Sequence, residues 1–196
     1  MEFSDIFKLH QKQPECKQGK MLIAQPFLQE LYFNHSCICM VDYKENAPAT
    51  GLVLNKKTNL YLDNLVDGLN TDAKIPVFCG GPVSMDRLFF IHDCPDIKRS
   101  SFVTDGLYFN GDFKDIIDYI NSGCPVDGHL KFFVGYSGWE ISQLPDEIAN
   151  HVWAIAGGDA AYFLKNEVDD YWYDCVKRLG ANYRAWLLCP ANPVLN

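Results

Sequence analysis

The segment Gly135-Tyr-Ser-Gly-Trp139 comes nearest to a nucleophile motif, because it follows a predicted strand and precedes a predicted helix. The elbow of an α/β-hydrolase needs glycine two residues after the serine, and Trp139 occupies that position. The connection from Gly135 to Ser142 is also too long for a sharp elbow, and spacing assigns no base. We therefore predict a glycine loop wedged by tryptophan, and no catalytic residue.

Paired glycines in Cys79-Gly-Gly-Pro82 follow another predicted strand. Two glycines free the backbone to turn and could let amide groups face an anion. The segment lacks the further glycines of a dinucleotide fingerprint and the Lys-Ser/Thr ending of a P-loop. We therefore favour a tight turn that another strand approaches closely, with at least one residue at positive φ.

Histidine and cysteine lie close together in His35-Ser-Cys-Ile-Cys39 and in His92-Asp-Cys94. Structural zinc favours cysteine pairs on turns, whereas residues i and i+2 of a strand lie roughly 7 Å apart. We therefore predict no metal site and no cofactor. The carboxylates of Asp112, Asp115 and Asp159 fit helix starts better than a catalytic pair.

Strand-like and helical patterns interleave along the chain without strict alternation, which predicts an α+β fold with a mixed sheet. The predicted strands are Met21–Ala24, Ser36–Val41, Thr50–Leu54, Pro76–Cys79, Leu88–His92, Leu130–Gly135, Val152–Ala156 and Arg184–Cys189. The predicted helices are Asp112–Ser122, Val168–Leu179 and one that begins near Ser142 as its cap, with Pro145 in the first turn.

Composition limits the classes of function. The 196 residues carry a formal net charge of −8, and no basic run exceeds two residues, so we expect no direct binding to nucleic acid. No apolar stretch approaches the length of a membrane span, and the first residues do not form a signal peptide. We expect a cytoplasmic protein whose eight cysteines are reduced thiols.

Several segments, taken in order, resemble the YqgE/AlgH family. They are Gly19-Lys-Met-Leu-Ile-Ala-Gln-Pro26, Gly51-Leu-Val-Leu-Asn55, Gly80-Gly-Pro-Val83 and Gly135-Tyr-Ser-Gly-Trp139, followed by Gln143-Leu144, Glu147 and Trp153. The family usually has alanine at Ser137, which argues against a nucleophile there, and an acidic residue is common at Pro145. The resemblance implies a bent, mixed sheet that curls toward a pseudo-barrel with flanking helices.

The resemblance divides the chain into an N-terminal extension, residues 1–18, and one domain, residues 19–196. The family is often labelled a transcriptional regulator, but no helix-turn-helix pattern with basic residues supports that label here. We therefore predict a non-enzymatic regulatory or interaction protein that acts indirectly, through a protein partner or a small metabolite.

The alternative is a small-ligand-binding protein or an enzyme with a pocket at the two glycine motifs. Either function would use the same ligand- or partner-binding residues. They are Asn55, Gly80, Gly81, Pro82, Tyr136, Ser137, Gly138, Trp139, Gln143 and Glu147.

Overall fold

A computed structural model describes residues 13–189. Ten strands and four helices lie within this range, and the predicted α+β class is confirmed. The strands are β1 Met21–Ala24, β2 Cys37–Asp42, β3 Ala49–Val53, β4 Lys57–Tyr61, β5 Pro76–Cys79, β6 Val83–His92, β7 Ser101–Thr104, β8 Leu107–Phe109, β9 Leu130–Trp139 and β10 Trp153–Ala156. The helices are α1 Phe113–Asn121, α2 Gln143–Ala149, α3 Ala160–Phe163 and α4 Tyr171–Leu179.

The strands form one bent, mixed sheet in the order β10-β1-β2-β3-β9-β6-β8-β7, with β5 and β4 off this path. β9 connects the two parts of the sheet. Its first half pairs in parallel with β5, where Val77 lies opposite Phe132, and its second half pairs antiparallel with β3, where Gly51 lies opposite Ser137. The predicted bent sheet is thereby confirmed.

Alternation along the strands separates the core into layers, because successive side chains point to opposite faces. In β2, Cys37 and Cys39 face a layer covered by α3 and α4, whereas Ile38 and Met40 face a layer that contains Trp153. A third layer packs α1 against β5 and the first half of β9.

Helix starts follow the sequence at α1 and α3. They differ at α2 and at α4, which begins at Tyr171 and not at the predicted Val168. The carboxylates of Asp112 and Asp159 accept hydrogen bonds from the backbone N–H groups of Lys114 and Ala161, so both aspartates cap helices as predicted. Ser142 precedes α2 in a left-handed conformation (φ +71°) and makes no side-chain capping bond, which corrects its predicted role. The start of α3 at Asp159 was predicted but its extent was not, because its four residues are too few to show a helical period.

One strand prediction and one loop prediction were wrong. Residues Ala181–Leu188 form a 3₁₀ helix where a strand was predicted over Arg184–Cys189. Tyr183 and Trp186, three residues apart, are both buried, which suits a helix of three residues per turn. Gly135–Trp139, predicted as a loop, is the second half of β9. Its two glycines suggested a loop, but glycine also occurs in strands that another backbone approaches closely.

Three strands were missing from the prediction. β4 is an edge strand whose side chains are mostly exposed, so it lacks the apolar alternation of a half-buried strand. β7 and β8 form a short hairpin closed by Asp105-Gly106, with Gly106 at φ +69°. An Asp-Gly pair is a strong hairpin signal that could have revealed both strands.

Residues 13–18 of the predicted N-terminal extension pack against the sheet. The Gln13 side chain donates to the carbonyl of Trp153 at 2.9 Å and accepts from the N–H of Ile155 at 2.9 Å, and Cys16 is buried. Residues 1–12 lie outside the described residues, and the division at residue 18 stays a prediction. None of the described helices is long and apolar enough to cross a membrane.

Candidate functional site

The two glycine motifs meet at one point, which we call the glycine crossing: Gly80 and Gly81 packed against Gly135, Tyr136 and Ser137. Gly81 has φ +148°, so the predicted positive φ in this turn is confirmed. A Cβ on Gly81 would lie 2.4 Å from the carbonyl of Tyr136, and one on Gly80 would lie 2.3 Å from the carbonyl oxygen of Gly135. The predicted close approach of another strand is therefore confirmed.

Polar groups at the glycine crossing are used within the fold. The N–H of Gly80 donates to the carbonyl of Val134 at 2.9 Å, so this amide does not face an anion. Ser137 is fully buried, and its hydroxyl donates to the carbonyl of Gly80 at 3.0 Å. This carbonyl also accepts from the N–H of Val53 at 2.9 Å. The crossing thus fastens β3, β5 and β9 together where β9 changes its neighbour.

Asn55 stabilises the start of β2. Its side-chain oxygen accepts from the N–H of Cys37 at 2.9 Å, and its amide donates to the carbonyl of His35 at 2.8 Å. Both polar atoms of the side chain are therefore hydrogen-bonded to backbone groups, so the role of Asn55 is structural.

Glu147 forms a second polar cluster, which we call the glutamate clamp. One carboxylate oxygen accepts from the indole N–H of Trp139 at 2.8 Å and from that of Trp153 at 2.7 Å. The other accepts from the Gln143 amide at 2.9 Å. Both tryptophans are buried, so the clamp satisfies two indole donors while tying α2 to β9 and β10. Eight of the ten predicted residues thus separate into the crossing, the clamp and Asn55, and the other two, Pro82 and Gly138, are exposed beside the crossing.

An apolar ridge borders the glycine crossing at the surface: Pro82, Val83, Met85 and Gly138. Val83 and Met85 are 36% and 42% exposed, and Pro82 and Gly138 are also exposed. The Met85 sulfur lies 4.0 Å from the sulfur of Cys79, which is partly exposed. Two of the predicted motif segments, Gly80–Val83 and Gly135–Trp139, therefore contribute to this surface, mainly through apolar atoms.

A recess of about 330 Å³ lies on the other part of the sheet, between β1, β10, α3 and α4. We call it the thiol pocket. Its lining residues are Met21, Ile23, Ala156, Gly157, Asp159, Tyr162, Cys175 and Arg178. Sequence reasoning missed it, since the segment that contains Cys175 was predicted only as a helix, Val168–Leu179. The spacing of Cys175 and Arg178, three residues apart on one helix face, is the signal that could have pointed there.

Two larger recesses of about 490 Å³ each flank the C-terminal end of α1. One is lined by Ile120 and Cys124 among others, and the other by Asp93 and His129, whose side chains lie 2.8 Å apart. None of the ten predicted residues lines these two recesses or the thiol pocket. Within residues 13–189, no group of three or more His, Cys, Asp or Glu side chains is arranged to hold a metal ion.

Lys131 is a buried cation that the sequence analysis also missed. It is 0% exposed in β9, and its ammonium group donates to the carbonyl of Lys165 and lies 4.1 Å from the ring centroid of Phe78. Burial lowers the pKa of Lys131 to about 7. Apart from Lys131, the predicted strand Leu130–Gly135 is apolar, which is typical of a strand buried on both faces. Such a strand has no solvent-exposed face for a lysine side chain.

Comparison with known proteins agrees with the architecture. The AlgH-like family model matches residues 21–184. UPF0301 proteins of Parabacteroides distasonis and Bacteroides thetaiotaomicron are 40% and 35% identical to this chain, over 99% and 98% of its length and 98% of their own. The solution structure of AlgH from Pseudomonas aeruginosa has a TM-score of 0.69 at 26% identity, over 91% of this chain and 97% of that one.

A crystal structure of a Corynebacterium diphtheriae protein has the same fold, with a TM-score of 0.75 at 17% identity over 90% of this chain and 94% of that one. The relatives carry family labels and no specific activity. The family match, the full-length relatives and the shared architecture agree, and the chain belongs to the AlgH-like family.

Proposed function

We propose that this chain is a non-enzymatic interaction protein of the cytoplasm, which acts indirectly through a partner protein that docks on the apolar ridge. The observation that carries the proposal is the contrast between the two sides of the glycine crossing. Inside, the Gly80 amide and the Ser137 hydroxyl are engaged within the fold. Outside, the apolar ridge that borders the crossing exposes Val83 and Met85 to solvent.

The ridge suits a partner that presents aliphatic or aromatic side chains. An exposed methionine is flexible and polarisable, so it adapts to such surfaces, and contiguous exposed apolar patches commonly mark interaction sites. β8 pairs with β6 only at Ile91 and His92 among the described residues. The first half of β6, which carries the ridge, therefore has no strand on that side, and a partner can approach its edge.

Indirect action is supported by the distribution of charge. The net charge is −8, and phosphate binding depends on several free Lys or Arg contacts. In α4, Lys177 pairs with Asp174 at 3.0 Å and Arg178 lies over the ring of Tyr162 at 3.8 Å. The basic residues of this helix are thus engaged locally.

A ligand pocket at the glycine motifs, the alternative, has less support. Asn55 binds backbone groups at both ends of its side chain, and Ser137 is fully buried. A catalytic function there would need polar groups that face a substrate, whereas the exposed part of the crossing is mainly apolar.

The test is cross-linking of tagged protein in its native cell, followed by purification and mass spectrometry. We expect a partner cross-linked near β6 that is recovered with wild type and lost with Met85→Lys. Leu31→Lys is the matched control, because Leu31 is 84% exposed in a turn that contributes no residue to the ridge. Equal recovery of the same partner with Met85→Lys, or cross-links that map to another surface, would contradict docking on the ridge.

Fluorescence anisotropy with promoter fragments tests the indirect part separately. We expect no specific binding of duplex DNA by the isolated protein at about 150 mM salt, since contacts to phosphate dominate the affinity of proteins for DNA. Sub-micromolar binding that survives competitor DNA would instead show direct action.

A further inference from the structure

Two buried cysteines lie in the core layer beside the thiol pocket. Cys175 of α4 is 1% exposed and Cys37 of β2 is 0% exposed, and both side chains belong to the core layer in which α4 packs on β2. The Met21 sulfur lies 3.3 Å from the Cys175 sulfur, so the pocket wall contains two neighbouring sulfur atoms. Of the pair, Cys175 lines the pocket and Cys37 does not.

The surroundings of the two thiols differ. The Tyr162 hydroxyl lies 3.6 Å from the Cys175 sulfur, and Arg178 lies 3.8 Å from the Tyr162 ring centroid. The pKa of Cys175 is lowered, chiefly because Cys37 donates a hydrogen bond to it, with Tyr162 and Arg178 adding to the effect against the desolvation of burial. The pKa of Cys37 is raised, chiefly by burial. The ionised form therefore belongs to the pocket side of the pair.

We propose that Cys175 is a peroxide-reactive cysteine that opens into the thiol pocket, and that Cys37 is its resolving thiol. This assignment rests on the paired thiols, the recess and the polar groups around Cys175, and it is independent of the apolar ridge.

The chemistry needs two steps and one peroxide. The Cys175 thiolate attacks one oxygen of the peroxide, the O–O bond breaks, and the leaving oxygen takes up the proton that the thiol had released. The product is a sulfenic acid at Cys175 and water or an alcohol. Cys37 then loses its proton and attacks the Cys175 sulfur, so an S–S bond forms, the S–O bond breaks and water leaves. Two thiols are oxidised and one peroxide is reduced.

The pocket gives Arg178 and Tyr162 definite roles in the first step. A guanidinium beside the pocket stabilises negative charge on the leaving oxygen, and a hydroxyl next to the sulfur hydrogen-bonds to the thiolate. The small exposed fraction of Cys175 limits access, so hydrogen peroxide should react faster than a bulky organic hydroperoxide.

Other cysteines provide contrast within the same chain. Cys39 is fully buried in the same strand as Cys37, and burial raises its pKa. Cys124 is exposed beyond the end of α1. If exposure alone governed oxidation, Cys124 would react first; if the paired geometry governs it, Cys175 will.

The experiment treats the intact, reduced chain with equimolar hydrogen peroxide, blocks the remaining thiols and maps the products by non-reducing peptide mass spectrometry. We expect a Cys37–Cys175 disulfide in wild type. Cys37→Ala should instead accumulate a sulfenic acid at Cys175 that dimedone traps, and Cys175→Ala should lose both products. Cys39→Ala is the matched control and should behave as wild type.

Two further measurements guard against a change in folding. The thermal midpoint of each variant shows whether it is folded under the assay conditions, and Arg178→Met should slow the reaction while the pair stays intact. Oxidation of Cys124 with Cys175 still reduced, or a Cys37–Cys175 disulfide that forms only after unfolding, would overturn the proposal. So would equal reaction rates for hydrogen peroxide and cumene hydroperoxide, because the narrow access would then have no effect.

Discussion

The glycine crossing and the thiol pocket lie on one sheet but use their residues in opposite ways. At the crossing, the recognisable motifs Gly80-Gly81 and Gly135–Ser137 are packed so closely that their polar groups bond to each other. At the thiol pocket, Cys175 and Arg178 belong to no motif, yet their functional groups border a recess. The comparison shows that a recognisable sequence motif can have a purely structural role in backbone packing. Side chains that can react may instead lie on a helix that carries no motif.

The largest effect should come from a methyl group at the crossing. We expect Gly81→Ala to lower the free energy of unfolding by about 3 kcal/mol or more, since strain at positive φ adds to a clash with backbone atoms. Gly157→Ala at the rim of the thiol pocket should be nearly neutral, because no other atom lies within 4 Å of its added Cβ. Urea denaturation measures both.

A second control separates backbone strain from the clash. Gly123 has φ +78°, but its added Cβ would meet no atom within 4 Å. Gly123→Ala should therefore cost only about 1 kcal/mol. If Gly81→Ala cost no more than Gly123→Ala, the close approach at the crossing would have no energetic consequence.

The next effect concerns the glutamate clamp, the other motif-rich cluster. Glu147→Leu leaves two buried indole N–H groups without their acceptor, and we expect a loss of about 3 kcal/mol in the free energy of unfolding. Glu140→Leu is the control: the Glu140 side chain is exposed, and its replacement should change stability by less than about 0.5 kcal/mol. Tryptophan fluorescence during denaturation follows both variants; similar losses would show that the clamp contributes nothing specific.

The smallest effect is a pH dependence of the unfolding free energy that comes from Lys131. Its ammonium group lies 5.7 Å from the ring of Tyr171 in α4. Its folded pKa of about 7 is below its ordinary value of 10.5. Between these values the unfolded chain binds more protons, so the cost of burying the amine is fully present below about pH 7 and is relieved as the pH rises.

We therefore expect the unfolding free energy of wild type, minus that of Lys131→Met, to increase by about 1 kcal/mol per pH unit between about pH 7.5 and 9. Taking the difference between the two proteins cancels the titration of the cysteines. Lys114→Met, at an exposed position of α1, should show no such slope. A flat difference for Lys131→Met would mean that the buried lysine stays charged.

Local sequence determined much of this protein. Continuous apolar runs define β1 and β2, and the stripe of Ile116 and Ile120 with the Asp112 cap defines α1. Ordered motifs also identified the family. These features succeed because apolar runs, helical period and capping depend on residues that are near each other in the chain.

Only the tertiary structure decided where these residues meet. Cys37 and Cys175 are 138 positions apart, and their contact depends on how α4 packs on β2, which no local pattern encodes. The same holds for Gly135–Trp139, which looked like a loop until β3 and β6 were placed beside it. Local physics specified the elements, whereas long-range packing decided that the motifs would fasten the sheet and that an ordinary helix would border the pocket.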